Sequence, residues 1–208
     1  MLKSSEILYI NRLFDYLDLY TYTTINIKEV QDFLFVFLDL LILISIMVVF
    51  NPFRKLIIST LNIKSLLSIS TYIYIIIANL IAILIDKITN LYHLNNPNLF
   101  VQHSNINHLL DQPFQIYILS ILSLIFITPI YEEILFRGII LNFFKTNYSF
   151  LIGLFISSLL FGLFHNYDIL YIIFATSMGI SFSMLYKKTN SLFPCIIAHI
   201  TYNIYTII

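Results

Sequence analysis

The sequence predicts an all-α fold: a polytopic helical membrane protein of about six transmembrane helices, with a core bundle that holds an intramembrane polar cavity. Three observations predict it. Hydrophobic residues make up 59% of the 208 residues and charged residues only 11%. Runs of about 18 or more mostly apolar residues recur, long enough to cross a bilayer core, whereas buried helices of soluble proteins are usually shorter and more amphipathic. Very short links join the later runs. The formal net charge of zero argues against a nucleic-acid partner, which requires a basic surface. Cys195 is the single cysteine, so an intramolecular disulfide and a thiolate zinc cluster are both ruled out.

The N-terminal stretch MLKSSEILYINRLFDYLD lacks the basic flank, short apolar core and small-residue cleavage site of a signal peptide. Insertion is therefore expected to depend on the spans. The first, DFLFVFLDLLILISIMVVF, ends at NPFRK, where a proline and two cations mark a membrane exit. The second runs from about Leu66 to Ile85. One long polar connection follows, DKITNLYHLNNPNLFVQHSNINHLLDQP, in which His93, His103 and His108 are expected to be solvated; a connection this long is functional or mobile. Pro113 opens a third run that passes through Pro129 into the charged stretch YEEILFRG. YSFLIGLFISSLLFGLFH, DILYIIFATSMGISFSMLY and SLFPCIIAHITYNIYTII complete the set. Residues 1–112 are thus expected to hold a tail, two spans and the polar connection, and residues 113–208 a core domain. Arg54, Lys55, Lys64, Lys145, Lys187 and Lys188 fall on one side if the spans alternate, which the positive-inside rule assigns to the cytoplasm.

YEEILFRG puts three charges within six residues. On a helix, positions four apart share a face, so Glu133 and Arg137 are neighbours with the acid N-terminal to the base, the favourable order. Glu132 is displaced to the side and has no intrahelical partner. An ionisable group at membrane depth costs about 2.5–3.5 kcal/mol on insertion scales and usually faces a water-filled cavity or a partner on another helix. If instead the helix begins near Tyr131, the same charges lie among headgroups and snorkel.

Two later spans carry polar residues. His165 follows Phe161 by four positions, and His199 precedes Asn203 by four, so that each pair shares a helical face. A lone histidine in such a place is more often a satisfied core residue, and a lone asparagine is often helix–helix glue. Together, a glutamate, two histidines and an asparagine from three helices supply a base, proton carriers and an oxyanion donor.

Glu132-Glu133-xxx-Arg137, Phe161-xxx-His165 and His199-xxx-Asn203 occur in the order and apolar context of the CPBP family, the CAAX prenyl endopeptidases and bacteriocin-processing or immunity proteins, which this chain resembles from about Pro113 to Ile208. The resemblance implies an all-helical, glutamate-dependent intramembrane endopeptidase; no cofactor and no metal are expected. By that likeness Glu132 is the general base, helped by His165. His199 and Asn203 stabilise the oxyanion, and Glu133, Arg137 and Phe161 support the site. Its partners are then membrane lipid and a peptide or lipidated protein substrate.

Three rival chemistries remain. A zinc-dependent protease would use Glu and His ligands, but HExxH is absent and no two histidines stand at helical spacing. Cys195, four residues before His199, suggests a Cys–His nucleophile, although a lone buried cysteine is more often an inert small hydrophobe. The same residues would also serve a non-enzymatic immunity or scaffold protein, or a proton path in a transporter. The abundance of Ile, Asn, Tyr and Phe is what AT-rich coding produces, so a multi-pass protein of a bacterial plasma membrane is expected. Peptide maturation or bacteriocin self-immunity would follow by analogy.

Overall fold

The computed structural model describes residues 27–95, 114–165 and 168–207. The N-terminal tail before residue 27, Pro113 and the part of the polar connection that carries His103 and His108 lie outside the described residues, as does the side chain of His93. Among the described residues every regular element is helical. Helix α1 spans Ile27–Val49 and α2 spans Asn51–Ile58. A 3-10 turn, Ile63–Leu67, leads into α3, Ile69–Asn95. One unbroken helix, α4, occupies residues 114–147, and α5 (Phe150–Phe164), α6 (Ile169–Thr189) and α7 (Leu192–Ile207) follow.

Three of these helices are long and apolar enough to cross a membrane, Ile69–Tyr92, Tyr117–Asn147 and Ile169–Thr189; the bent pair formed by α1 and the segment after it adds a fourth. Helices α5 and α7 are apolar but shorter, 15 and 16 residues, or about 22–24 Å at 1.5 Å per residue. The protein is thus an all-α, multi-pass membrane protein. Its outward faces fit a lipid surround: Ile76, Leu151 and Phe155 are more than half exposed, which in water would make a large apolar patch.

At NPFRK, where the sequence predicts a membrane exit, the chain turns sharply. Phe50 adopts an extended conformation ahead of Pro52, and the chain bends by 105° into α2. Helix α2 is amphipathic, with Ile57 buried and Arg54 and Lys55 exposed. The polar connection also begins later than its composition suggests, because α3 continues through Asp86 and Lys87 to Asn95. Asp86 hydrogen-bonds Asn90 one turn on and Tyr202 of α7, so the polar residues here serve a helix rather than a loop.

Tight caps hold the short links. The Ser149 hydroxyl accepts from the Ile152 N–H, and the Asp168 carboxylate accepts from the N–H groups of Leu170 and Tyr171, which are standard helix N-caps. Asn190, at φ 46°, closes α6 in the left-handed conformation that asparagine tolerates better than most residues. Lys145 Nζ donates to Asn190 Oδ1 at 3.3 Å, and the start of α7 docks on the chain after α2 through Leu192 N–H to Thr60 O at 3.0 Å and Ser191 Oγ to Asn62 O at 2.8 Å. These contacts gather Lys145, Lys187, Lys188 and the basic α2 region at one end of the bundle, as the positive-inside reading expects.

Helices α5 and α6 cross closely. A Cβ built on Gly162 would lie 2.6 Å from the Ile172 carbonyl oxygen, and one on Gly179 would lie 2.9 Å from Ser158 Cα, so only glycine lets the backbones approach this far. The core that forms around this crossing includes Phe136, Phe161, Met178, Phe182 and Ala198.

Candidate active site

Helix α4 is built around the paired carboxylates. Two π-helical segments, Ser123–Ile127 and Ile134–Leu141, bracket the α-helical turn Thr128–Glu133. Pro129 does not break the helix. The wide turn that precedes it makes room for a ring that would clash in a regular α-helix, and π-bulges of this kind are frequent at functional sites. Glu132 stands fifteen residues from each end of the Tyr117–Asn147 stretch. It lies in the middle of the helix, so the alternative in which a helix starts near Tyr131 among headgroups does not hold.

Glu133 and Arg137 are both completely buried and pair through Arg137 Nη1 to Glu133 Oε1 at 2.8 Å. The second guanidinium nitrogen, Nη2, donates to the Gly179 carbonyl on α6 at 3.1 Å. The cation also sits near two rings, 4.7 Å from the centroid of Phe161 and 5.5 Å from that of Phe182, positions at which an aromatic quadrupole attracts it. Arg137 therefore ties α4 to α5 and α6 as well as offsetting Glu133.

His199 comes in from α7 and is nearly buried. Its Nδ1 stands 3.0 Å from Glu133 Oε1, the oxygen that also takes Arg137. A carboxylate oxygen accepts, so Nδ1 carries the proton and Nε2 is turned away from Glu133. That Nε2 lies 3.7 Å from Glu132 Oε2. On the other side His165, at the C-terminal end of α5, places its own Nε2 3.8 Å from Glu132 Oε1. Its Nδ1 is 2.8 Å from the Phe161 carbonyl; because a carbonyl only accepts, Nδ1–H is again fixed and Nε2 presents a lone pair in the neutral ring. The Phe161 ring lies against the His165 ring, with centroids 4.6 Å apart.

Glu132, Glu133, Arg137, Phe161, His165 and His199 thus come together from three helices. Glu132 Oε2, Glu133 Oε2 and Arg137 Nε are each buried without a hydrogen bond among the described residues, but of the two carboxylates only Glu132 keeps exposure, 13%. Asn203 sits one turn beyond His199, but its Nδ2 donates to the Leu124 carbonyl of α4 at 2.8 Å. Cys195 is buried, with Sγ 3.5 Å from the Phe182 carbonyl and 3.7 Å from that of Ser191. No three His, Cys, Asp or Glu side chains among the described residues are grouped as metal ligands. Gly179, Phe182 and Leu124 were not expected at the site. Gly179 and Leu124 bond the charged and amide side chains through backbone carbonyls, which leave no trace in residue type.

Residues 114–205 match the Type II CAAX prenyl endopeptidase Rce1-like family. Over this segment the chain is similar to the CAAX prenyl endopeptidases. All seven of the residues singled out above fall within it. The chain is also 37% identical over 109 residues to "Putative membrane peptidase YdiL" of Bacillus subtilis (strain 168), a match that covers 51% of this chain and 43% of that protein. The chain therefore spans less than half the length of that relative. No solved structure matches.

Proposed function

We propose that the protein is a glutamate-dependent intramembrane endopeptidase, which hydrolyses a peptide bond of a membrane-associated peptide or protein with an activated water. The observation that carries this reading is the Glu132 carboxylate between the Nε2 atoms of His165 and His199, at 3.8 and 3.7 Å. Those separations are too long for direct hydrogen bonds and suit a water that touches all three groups.

Glu132 takes one proton from that water while the His165 lone pair accepts a hydrogen bond from the other. The oxygen attacks the scissile carbonyl carbon, and the carbonyl electron pair moves onto its oxygen. His199 and Asn203 stabilise this oxyanion. With Nδ1–H already donated to Glu133, His199 does so as the imidazolium, through Nε2–H; Asn203 uses the amide hydrogen not given to Leu124. Collapse expels the amine, which recovers the proton held by Glu132. Glu133 and Arg137 keep His199 and α4 in register, and Phe161 supports Arg137 and His165.

The catalytic unit is assigned to residues 113–208, and residues 1–112 contribute the tail, the first two spans and the polar connection. The family description and the bacterial relative support a peptide or lipidated protein as substrate and a bacterial plasma-membrane location. Peptide maturation or bacteriocin self-immunity is the cellular role we infer. The test is cleavage of prenylated and unprenylated fluorogenic peptides by the full chain in proteoliposomes. Glu132→Gln and His165→Ala should each lower kcat by about 10²–10⁴-fold, the range that positioned acid–base groups contribute. Full activity in Glu132→Gln would overturn the mechanism, and peptide resistance in cells expressing inactive variants would point to a binding function.

A further inference from the structure

The π-helical turn before the glutamates leaves one backbone carbonyl in a distinctive position. The Thr128 N–H bonds the Ser123 carbonyl five residues back, the spacing of a π-helix. The next rung of that ladder would run from residue 129 to the Leu124 carbonyl. Residue 129 is proline and has no N–H to give. In a hydrocarbon surround no water replaces the missing donor, and an orphaned carbonyl is costly. At this carbonyl the Asn203 side chain arrives from α7, with Nδ2 2.8 Å from Leu124 O.

We propose that Asn203 is a positioning residue that substitutes for the N–H Pro129 lacks, and so holds the wide turn on which Glu132 is presented. Glu132 lies three residues after Pro129. Helix α7 then grips α4 at two points, through Asn203 on Leu124 and through His199 on Glu133 one turn earlier in α7. The first grip fixes the turn before the glutamate and the second fixes the glutamate pair. A proline in α4 and an asparagine in α7 are therefore one unit. The Leu124 pairing stands on geometry alone; its consequence for catalysis rests on the glutamate reading proposed above.

The test is a cycle of four full-length proteins in detergent: wild type, Asn203→Leu, Pro129→Ala and the double variant. Leucine keeps the approximate shape of asparagine and removes the donor, whereas alanine at 129 restores an N–H. Asn203→Leu should lower Tm by on the order of 5 °C, Pro129→Ala should stay near wild type, and the double variant should regain most of the loss. Should Pro129→Ala not fold, Pro129→Leu restores the same N–H and replaces it in the cycle. In the peptidase assay the double variant should show a higher kcat than Asn203→Leu at an unchanged KM, a rescue that loss of an oxyanion donor alone would not allow. Additive losses in Tm, or an Asn203→Leu Tm equal to wild type, would overturn the proposal. A fully active Glu132→Gln protein would sink the glutamate mechanism and leave the Tm cycle intact.

Discussion

Replacing Arg137 by methionine tests whether Glu133 and Arg137 form a structural frame distinct from Glu132. The side chain is completely buried, and its removal deletes the 2.8 Å pair with Glu133, the 3.1 Å bond to the Gly179 carbonyl and the contacts with the Phe161 and Phe182 rings. Glu133 keeps only His199 as a close partner among the described residues. Breaking a buried pair from one side costs about 3–5 kcal/mol, because the other charge stays buried without compensation. For a chain of this size that corresponds to a fall in Tm of roughly 10 °C. The buried Cys195 provides the assay: it is the single cysteine, so a thiol-reactive dye that fluoresces on coupling reports unfolding in detergent. Glu133→Gln combined with Arg137→Met removes both charges and should recover part of the loss, since removing both members of a buried pair costs less than removing one. An Arg137→Met protein that unfolds within about 2 °C of wild type would refute the frame.

Further outcomes follow from other parts of the molecule. Gly162→Ala places a methyl group against the Ile172 carbonyl at 2.6 Å and should destabilise by about 1–3 kcal/mol, as overpacking does; it should also lower kcat, because His165 hangs from the same turn, and the Tm and the peptidase assay would read both effects. Asn142→Ala removes the 3.2 Å bond to the Leu56 carbonyl, which joins α2 to α4. A loss of about 1 kcal/mol is expected in Tm, with catalysis unchanged. If Glu132 is the base, cleavage should persist in chelator and in Cys195→Ser. Activity lost to chelator and restored by zinc would instead support a metal mechanism, and activity lost in Cys195→Ser a cysteine one.

What could be read from the sequence was what depends on local helical geometry. The i, i+4 spacing of Glu133 and Arg137 predicts their pairing, and the ion pair forms at 2.8 Å. The shared faces of Phe161 with His165 and of His199 with Asn203 needed only the helical period. The contact between His199 and Glu133 was not legible. It spans 66 positions and depends on how α7 crosses α4, which no local pattern encodes. The extension of α3 beyond Ile85 was hidden for a related reason: Asp86 and Asn90 look like loop residues until Tyr202 of α7 is placed beside them. The 105° bend after α1 was not legible, because NPFRK has the same composition whether the chain runs straight on or turns into an amphipathic helix.

The two adjacent glutamates have different surroundings because one residue of helical rotation separates them by about 100°. Glu133 points into the bundle, where a single oxygen takes both the Arg137 guanidinium and His199 Nδ1. Sharing that oxygen orients the imidazole, and the ring's other nitrogen is consequently turned toward Glu132. Glu132 points to the partly open side and meets that nitrogen and His165 at distances that leave room for a water. The pair is not redundant. Exchanging the two roles would require α4 to rotate by a full residue step, which would break the Arg137–Gly179 bond and separate Asn203 from Leu124. Helix α4 is therefore locked in rotation by α6 and α7 together, and that lock leaves Glu132, not Glu133, facing the Nε2 atoms of both histidines.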